Sequence, residues 1–197
     1  MSTTVWMAIG VAVVVVFWAA AVHNRLRQLR NRVDNAFAQI DVQLKRRHDL
    51  IPNLVEVARA STAHEPRTLE AVARARGQAA QAAAHARRHP GQAAAMASLA
   101  GAEAALGSSL GQLMVLTESY PDLKADAQMQ SLSEEITSTE NRLGFARQAY
   151  NDEILAYNDQ ASQFPDLLIA RLIGFAHLDM LQATESAQER AAPQVRF

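Results

Sequence analysis

Residues 5–22 read VWMAIGVAVVVVFWAAAV, eighteen positions without a charge. As a helix rising ~1.5 Å per residue they span ~27 Å, close to the ~30 Å hydrocarbon core of a bilayer. Beyond them the pattern changes. From Leu26 the apolar positions fall at Leu29, Val33, Ala36/Phe37, Ile40 and Leu44, then at Ile51, Leu54/Val55 and Ala58. Steps of three and four residues draw one stripe along a helix. No Gly or Pro lies between Val22 and Pro52. The pattern therefore predicts one unbroken helix from the apolar stretch to Ser61 or Thr62, kinked or loosened at Pro52, where a backbone donor is lost.

A second helix is expected from Glu65–Pro66, with Pro in the tolerated first turn. It runs to about Tyr120, interrupted by a break or kink at His89-Pro90-Gly91. Its Ala-rich middle, residues 78–105, suits close helix–helix approach. A third helix is expected to be capped by Asp122 and to carry the stripe Met129, Leu132, Ile136, Leu143, Ala146, Tyr150, Ile154, Tyr157 and Ala161. It ends at Phe164-Pro165. A shorter helix from Asp166 to about Ser186 shows the apolar face Leu167, Leu168, Leu172, Ile173 and Phe175, and residues 189–197 form a frayed tail. The expected fold is all-α: one N-terminal transmembrane helix continuous with a long antiparallel up-and-down helical bundle. In this reading helix one descends ~60 Å from the membrane, helix two returns, helix three descends, and the last helix lies at the end far from the bilayer. So thin a stack has much lateral surface, and a homo-oligomer is expected.

Charge orients this arrangement. Four arginines, Arg25, Arg27, Arg30 and Arg32, directly follow the apolar stretch, and no Lys or Arg precedes it. The positive-inside tendency places residues 1–4 outside, 5–22 across the membrane, and a bundle of residues 23–188 in the cytoplasm. Trp6 and Trp18 suit the two interfaces. A cleaved signal peptide is the competing reading, since Ala19-Ala20-Ala21 resembles a cleavage site. An n-region without Lys or Arg, and arginines that resist translocation, speak against it. Residues 24–49 carry seven Lys/Arg against three Asp, while the chain as a whole has net charge −1. The surplus sits where anionic headgroups lie, so membrane lipid is the expected partner. Nucleic acid is not, because the remainder is acidic.

Chemistry is scarce. Without cysteine there is no disulfide, thiolate site or cysteine nucleophile. His85 and His89 stand at a spacing that can hold zinc, but an Arg-Arg pair lies between them and no carboxylate shares their face; a solvated surface is expected. His64-Glu65 lacks the second histidine of a zincin, and neither a phosphate-binding glycine loop nor a nucleophile elbow is present. No catalytic residue, metal, cofactor or small-molecule substrate is expected. What remains is an apolar seam interrupted by polar groups: on helix one at Arg47 or His48, on helix three at Thr139/Glu140. With those helices running parallel, the alignment pairs Arg142 with Asp41 and His48 with Asn151. A ladder of Asp41, His48, Glu140, Arg142 and Asn151 would then fix helix register, the best-attested role for buried ionic groups.

The block NRVDNAFAQIDVQLKRRHDLIPNLVE (residues 31–56), His64-Glu65, TLEAVAR (68–74), YPDLKA (120–125), TENRL (139–143), Ala146-Arg147, the pairs Tyr150-Asn151 and Tyr157-Asn158, and Gly174-Phe175 resemble the LemA family of bacterial membrane-anchored helical proteins. The resemblance covers nearly all of the part after the anchor. It implies a single N-terminal anchor, a cytoplasmic bundle of long antiparallel helices, and no established enzymatic activity or catalytic residues. It also implies kinship with a magnetosome-membrane protein linked to membrane shaping, and an association with membrane-bound metalloproteases. The expected function is a non-enzymatic scaffold that self-assembles at the inner membrane and organises or remodels it. The alternative is an adaptor or regulator of a membrane-bound protease or other envelope complex.

Overall fold

The computed structural model describes residues 3–61 and 65–181, all helix, turn or extended loop. The expected tail 189–197 lies outside them, as do residues 1–2, Thr62 and His64.

One helix, α1 (Thr3–Ser61), runs the length of the molecule, 59 residues or ~90 Å. Its first part touches almost nothing: Trp6, Val11, Val14, Val16 and Phe17 are exposed. From Val22 onward one face is covered, through Leu26, Val33, Phe37, Ile40, Leu44, Ile51, Leu54 and Ala58. Pro52 sits inside the helix without ending it. Proline has no N–H for the carbonyl four residues back, that of His48. Arg76 replaces it, donating from Nε to the His48 oxygen at 2.9 Å.

Here the fold departs from the sequence reading. His89-Pro90-Gly91 is a reversal, not a kink. Gly91 takes φ +78°, and Gln92 N donates to His89 O at 3.2 Å. α2 (Pro66–Arg88) climbs along α1, and α3 (Ala93–Glu118) comes back down beside it. The Ala-rich segment forms this hairpin, and Ala79, Ala83, Ala86 and Ala95 are buried in it. A short turn of helix, α4 (Pro121–Ala125), precedes α5 (Ala127–Ser162). The cap of α5 is Asp126, which accepts from Met129 N at 2.8 Å, rather than Asp122, which lies in the first turn of α4.

Among the described residues the bundle therefore has four long members, and α5 runs antiparallel to α1. Arg46 meets Glu135, Arg47 meets Glu140, and Phe37 meets Tyr150 edge-on at 5.5 Å. The chain consequently returns toward the apolar end of α1. α6 (Asp166–Ile173) packs Ile169 and Ala170 against Val22 and Leu26, with Trp18, Ala19 and Phe175 alongside. The expectation of a last helix at the distal end is overturned, as is its length. α6 stops at Ile173 instead of running on to Ser186, because Gly174 takes φ +82°. Phe175 N is bonded to Ala170 O at 2.9 Å and Gly174 N to Arg171 O at 3.3 Å. That is a Schellman cap with its customary apolar contact.

Candidate functional site

Two features stand out from the packing: a charged layer inside the bundle and an apolar, basic end where α1 leaves it.

The charged layer separates two apolar clusters. On α1, Arg47 and His48 lie between Leu44 and Ile51; on α3, Glu103 lies between Leu99 and Leu106; on α5, Glu140 lies between Ile136 and Leu143. Arg47, 3% exposed, donates from Nη2 to Glu103 and from Nη1 to Glu140. His48 Nε2 lies 2.9 Å from the other oxygen of Glu103, which is 8% exposed. Arg147 reaches Glu140 at 3.2 Å. Arg47 Nε, buried, has no partner among the described residues. Removing one member of such a buried pair costs about 3–5 kcal/mol, because the other charge is left uncompensated.

This layer differs from the pairs expected from sequence. Asp41 bonds to Arg87 of α2 at 2.8 Å, and Arg142 is exposed. His48 meets Glu103 rather than Asn151, because α5 is antiparallel to α1 and its level with α1 is inverted. Of the expected ladder, His48 and Glu140 come together, through Arg47 and Glu103; Asp41, Arg142 and Asn151 stand elsewhere. Sequence reasoning misses Glu103, although it is the only charge between Gly91 and Thr117. A lone carboxylate in so apolar a helix asks for a buried partner.

Asn151 has a different role. Residues 174–181 form an extended strap that runs back from α6 along α5. Asn151 donates to Leu181 O at 3.1 Å and accepts from Leu181 N at 3.0 Å. Asn158, two helical turns along, does the same for Leu178 at 2.9 and 3.0 Å. Each amide satisfies both backbone groups of one strap residue, as a neighbouring strand would. Tyr157 donates to Ala176 O at 3.0 Å, and Asp179 N donates to Gly91 O at 2.9 Å. Asn151, Asn158 and Tyr157 are thus the clasp of the strap, while Tyr150 donates to Met96 Sδ of α3 at 3.4 Å. Burial pushes the Tyr150 hydroxyl up to about 12, against weaker lowering by the Gly91 backbone and Arg30; burial raises Tyr157 as well.

At the near end, Arg25, Arg27 and Arg32 are exposed. Arg30 is half-buried, donating to Pro90 O at 3.0 Å and pairing with Asp34 at 3.5 Å. Trp18 is partly covered by the α6 cluster while Trp6 is exposed. His23 packs edge-on against Phe175 at 5.7 Å, in a cleft also lined by Arg27, Arg30 and Tyr157. His85 and His89 have their rings 4.7 Å apart, and among the described residues no three metal-binding side chains converge.

Residues 36–197, most of the chain, match the LemA family. The chain belongs to the LemA family. Among curated relatives it is similar to magnetosome proteins MamQ 1 and MamQ 2 of Paramagnetospirillum magneticum, each 27% identical over 84 residues, 43% of this chain and 31% of theirs. MamQ of Magnetospirillum gryphiswaldense is 26% identical over 81 residues, 41% of this chain and 30% of its own length. The alignment thus spans less than a third of these relatives. Two described helices are long and apolar enough to cross a membrane. In α3 the apolar side chains Leu99, Leu106 and Leu113 are used inside the bundle, whereas the start of α1, mean hydropathy 2.5, is almost wholly uncovered. A membrane-associated LemA protein is the description that fits both.

Proposed function

We propose that this LemA protein is a non-enzymatic scaffold, anchored in the bacterial inner membrane by residues 5–22, with residues 1–4 outside and the bundle in the cytoplasm. The observation that carries this reading is the single α1 helix: uncovered and apolar over its first part, then central to the bundle, with no break between. An anchor rigidly joined to its bundle transmits orientation from membrane to assembly. Arg25, Arg27 and Arg32, exposed just beyond the span, add attraction to anionic lipid of ~1 kcal/mol each. The charged layer keeps α1, α3 and α5 in one register.

Self-assembly is supported by the lateral surface. Val42 on α1 and Phe145 on α5 are 56% and 74% exposed and stand at one level, by the register that pairs Phe37 with Tyr150. Light scattering on the detergent-extracted protein tests this. Discrete assemblies that shrink on Phe145→Glu support scaffolding. A small particle that co-purifies with a membrane-bound protease would replace it with the adaptor reading.

A further inference from the structure

We propose that α6, with Phe164 before it, is a second membrane contact: an interfacial foot lying in the lipid layer beside the transmembrane helix. This rests on the reading of residues 5–22 as a span. α6 is docked on α1 at Trp18, Ala19, Val22 and Leu26, the end of the apolar stretch itself. At that level a bilayer-embedded α1 is leaving hydrocarbon for headgroups, so whatever packs there meets lipid. α6 meets it with the side chains suited to do so. Ile169 and Ala170 are spent on α1, yet Leu168 and Leu172, one helical turn apart on a neighbouring face, are 57% and 83% exposed, and Phe164 is 81% exposed. In water three large exposed apolar groups on one short helix and just before it are unexplained; in the interfacial layer they are buried.

The polar groups agree. Arg171 is exposed on another face of α6, and Arg25 and Arg27 are exposed on α1 close by, where phosphates would lie. The foot is also held firmly from the bundle side. The Schellman cap at Gly174 stops the helix, and the strap clasped by Asn158 and Asn151 ties it to α5. Gln160 donates to Asp166 at its start. A foot so tied fixes the tilt of the whole bundle against the bilayer, which one helix crossing alone would leave free to rotate.

The chain has no cysteine, so single spin labels can be placed without other changes. Full-length protein carrying Leu168→Cys or Leu172→Cys is reconstituted in vesicles of phosphatidylethanolamine and phosphatidylglycerol, with Val13→Cys marking the span and Ser108→Cys, at an exposed position of α3, the bundle surface. Collision rates with oxygen, which partitions into lipid, and with a water-soluble nickel chelate are then compared. Labels at positions 168 and 172 should show an oxygen-to-nickel ratio severalfold above that at 108 and below that at 13. A ratio at 168 and 172 equal to that at 108, or shielding from both reagents as under a second protein copy, overturns the foot. A low ratio at 13 overturns the span itself, whatever the other labels report.

Discussion

At the level of Arg47 the bundle holds its charges inside, with Glu103 and His48 around the guanidinium and apolar clusters above and below. At the level of Leu26 the interior is wholly apolar and the arginines stand outside, next to exposed leucines of α6. Buried ions cost several kcal/mol each unless paired, and a shift of α1, α3 or α5 out of this alignment would leave one of them unpaired. The near end makes no such demand. Its exposed apolar groups would be an error in water and are in place against lipid. One part of the rod is built to define itself, the other to meet a different medium.

The largest effect belongs to the middle. Glu103→Leu removes the buried one of the two carboxylates on Arg47, leaving only the more exposed Glu140, and should lower the denaturation free energy of the detergent-solubilised bundle by about 3 kcal/mol, the lower end of the range for breaking a buried pair. Adding Arg47→Met should restore most of that loss, and a silent single variant would remove the contrast between the two levels. Next comes Tyr150. Its hydroxyl is held neutral up to about 12 against an ordinary value of 10.0. The folded state therefore keeps a proton that the unfolded chain gives up near pH 10. Stability is complete below pH 10 and falls, by an amount on the order of 2 kcal/mol, as pH rises from 10 toward 12. Tyr150→Phe should flatten that part of a stability-versus-pH curve.

Arg76→Ala orphans the His48 carbonyl and should cost about 1–2 kcal/mol in the same denaturation assay. In a Pro52→Ala background the restored backbone N–H takes that carbonyl, and the loss should shrink. The smallest effect lies at the near end. Gly174→Ala meets no neighbour within 4 Å, so only its positive φ is strained, at about 1 kcal/mol. Hydrogen exchange should quicken in α6 and the strap and stay unchanged around Arg47.

Helix identity is legible in the residues; direction is not. The stripe from Leu26 to Ala58 gives α1 and its end, and Phe164-Pro165 gives the end of α5. A reversal and a kink share the local composition His-Pro-Gly, and what separates them is distant: alanines of α2 packing on α3, and Glu103 reaching Arg47. Taking the turn for a kink inverts α5, which matches Asp41 to Arg142 and sends α6 to the wrong end. Gly174 just after an apolar run is a stop signal that the dense face of α6 obscures. The clasp formed by Asn151 and Asn158 is visible only as a repeat, since its partners are backbone groups of an irregular strap.

Nothing weighs more than whether α1 crosses the bilayer once and delivers the bundle to the cytoplasm. Single cysteines at Thr4 and at Ser108, each in the otherwise cysteine-free full chain, can be exposed to an impermeant maleimide on intact bacterial spheroplasts and again after lysis. Labelling is expected at position 4 in intact spheroplasts and at position 108 only after lysis. Labelling at 108 before lysis, or a mature chain from which position 4 is missing, would contradict it.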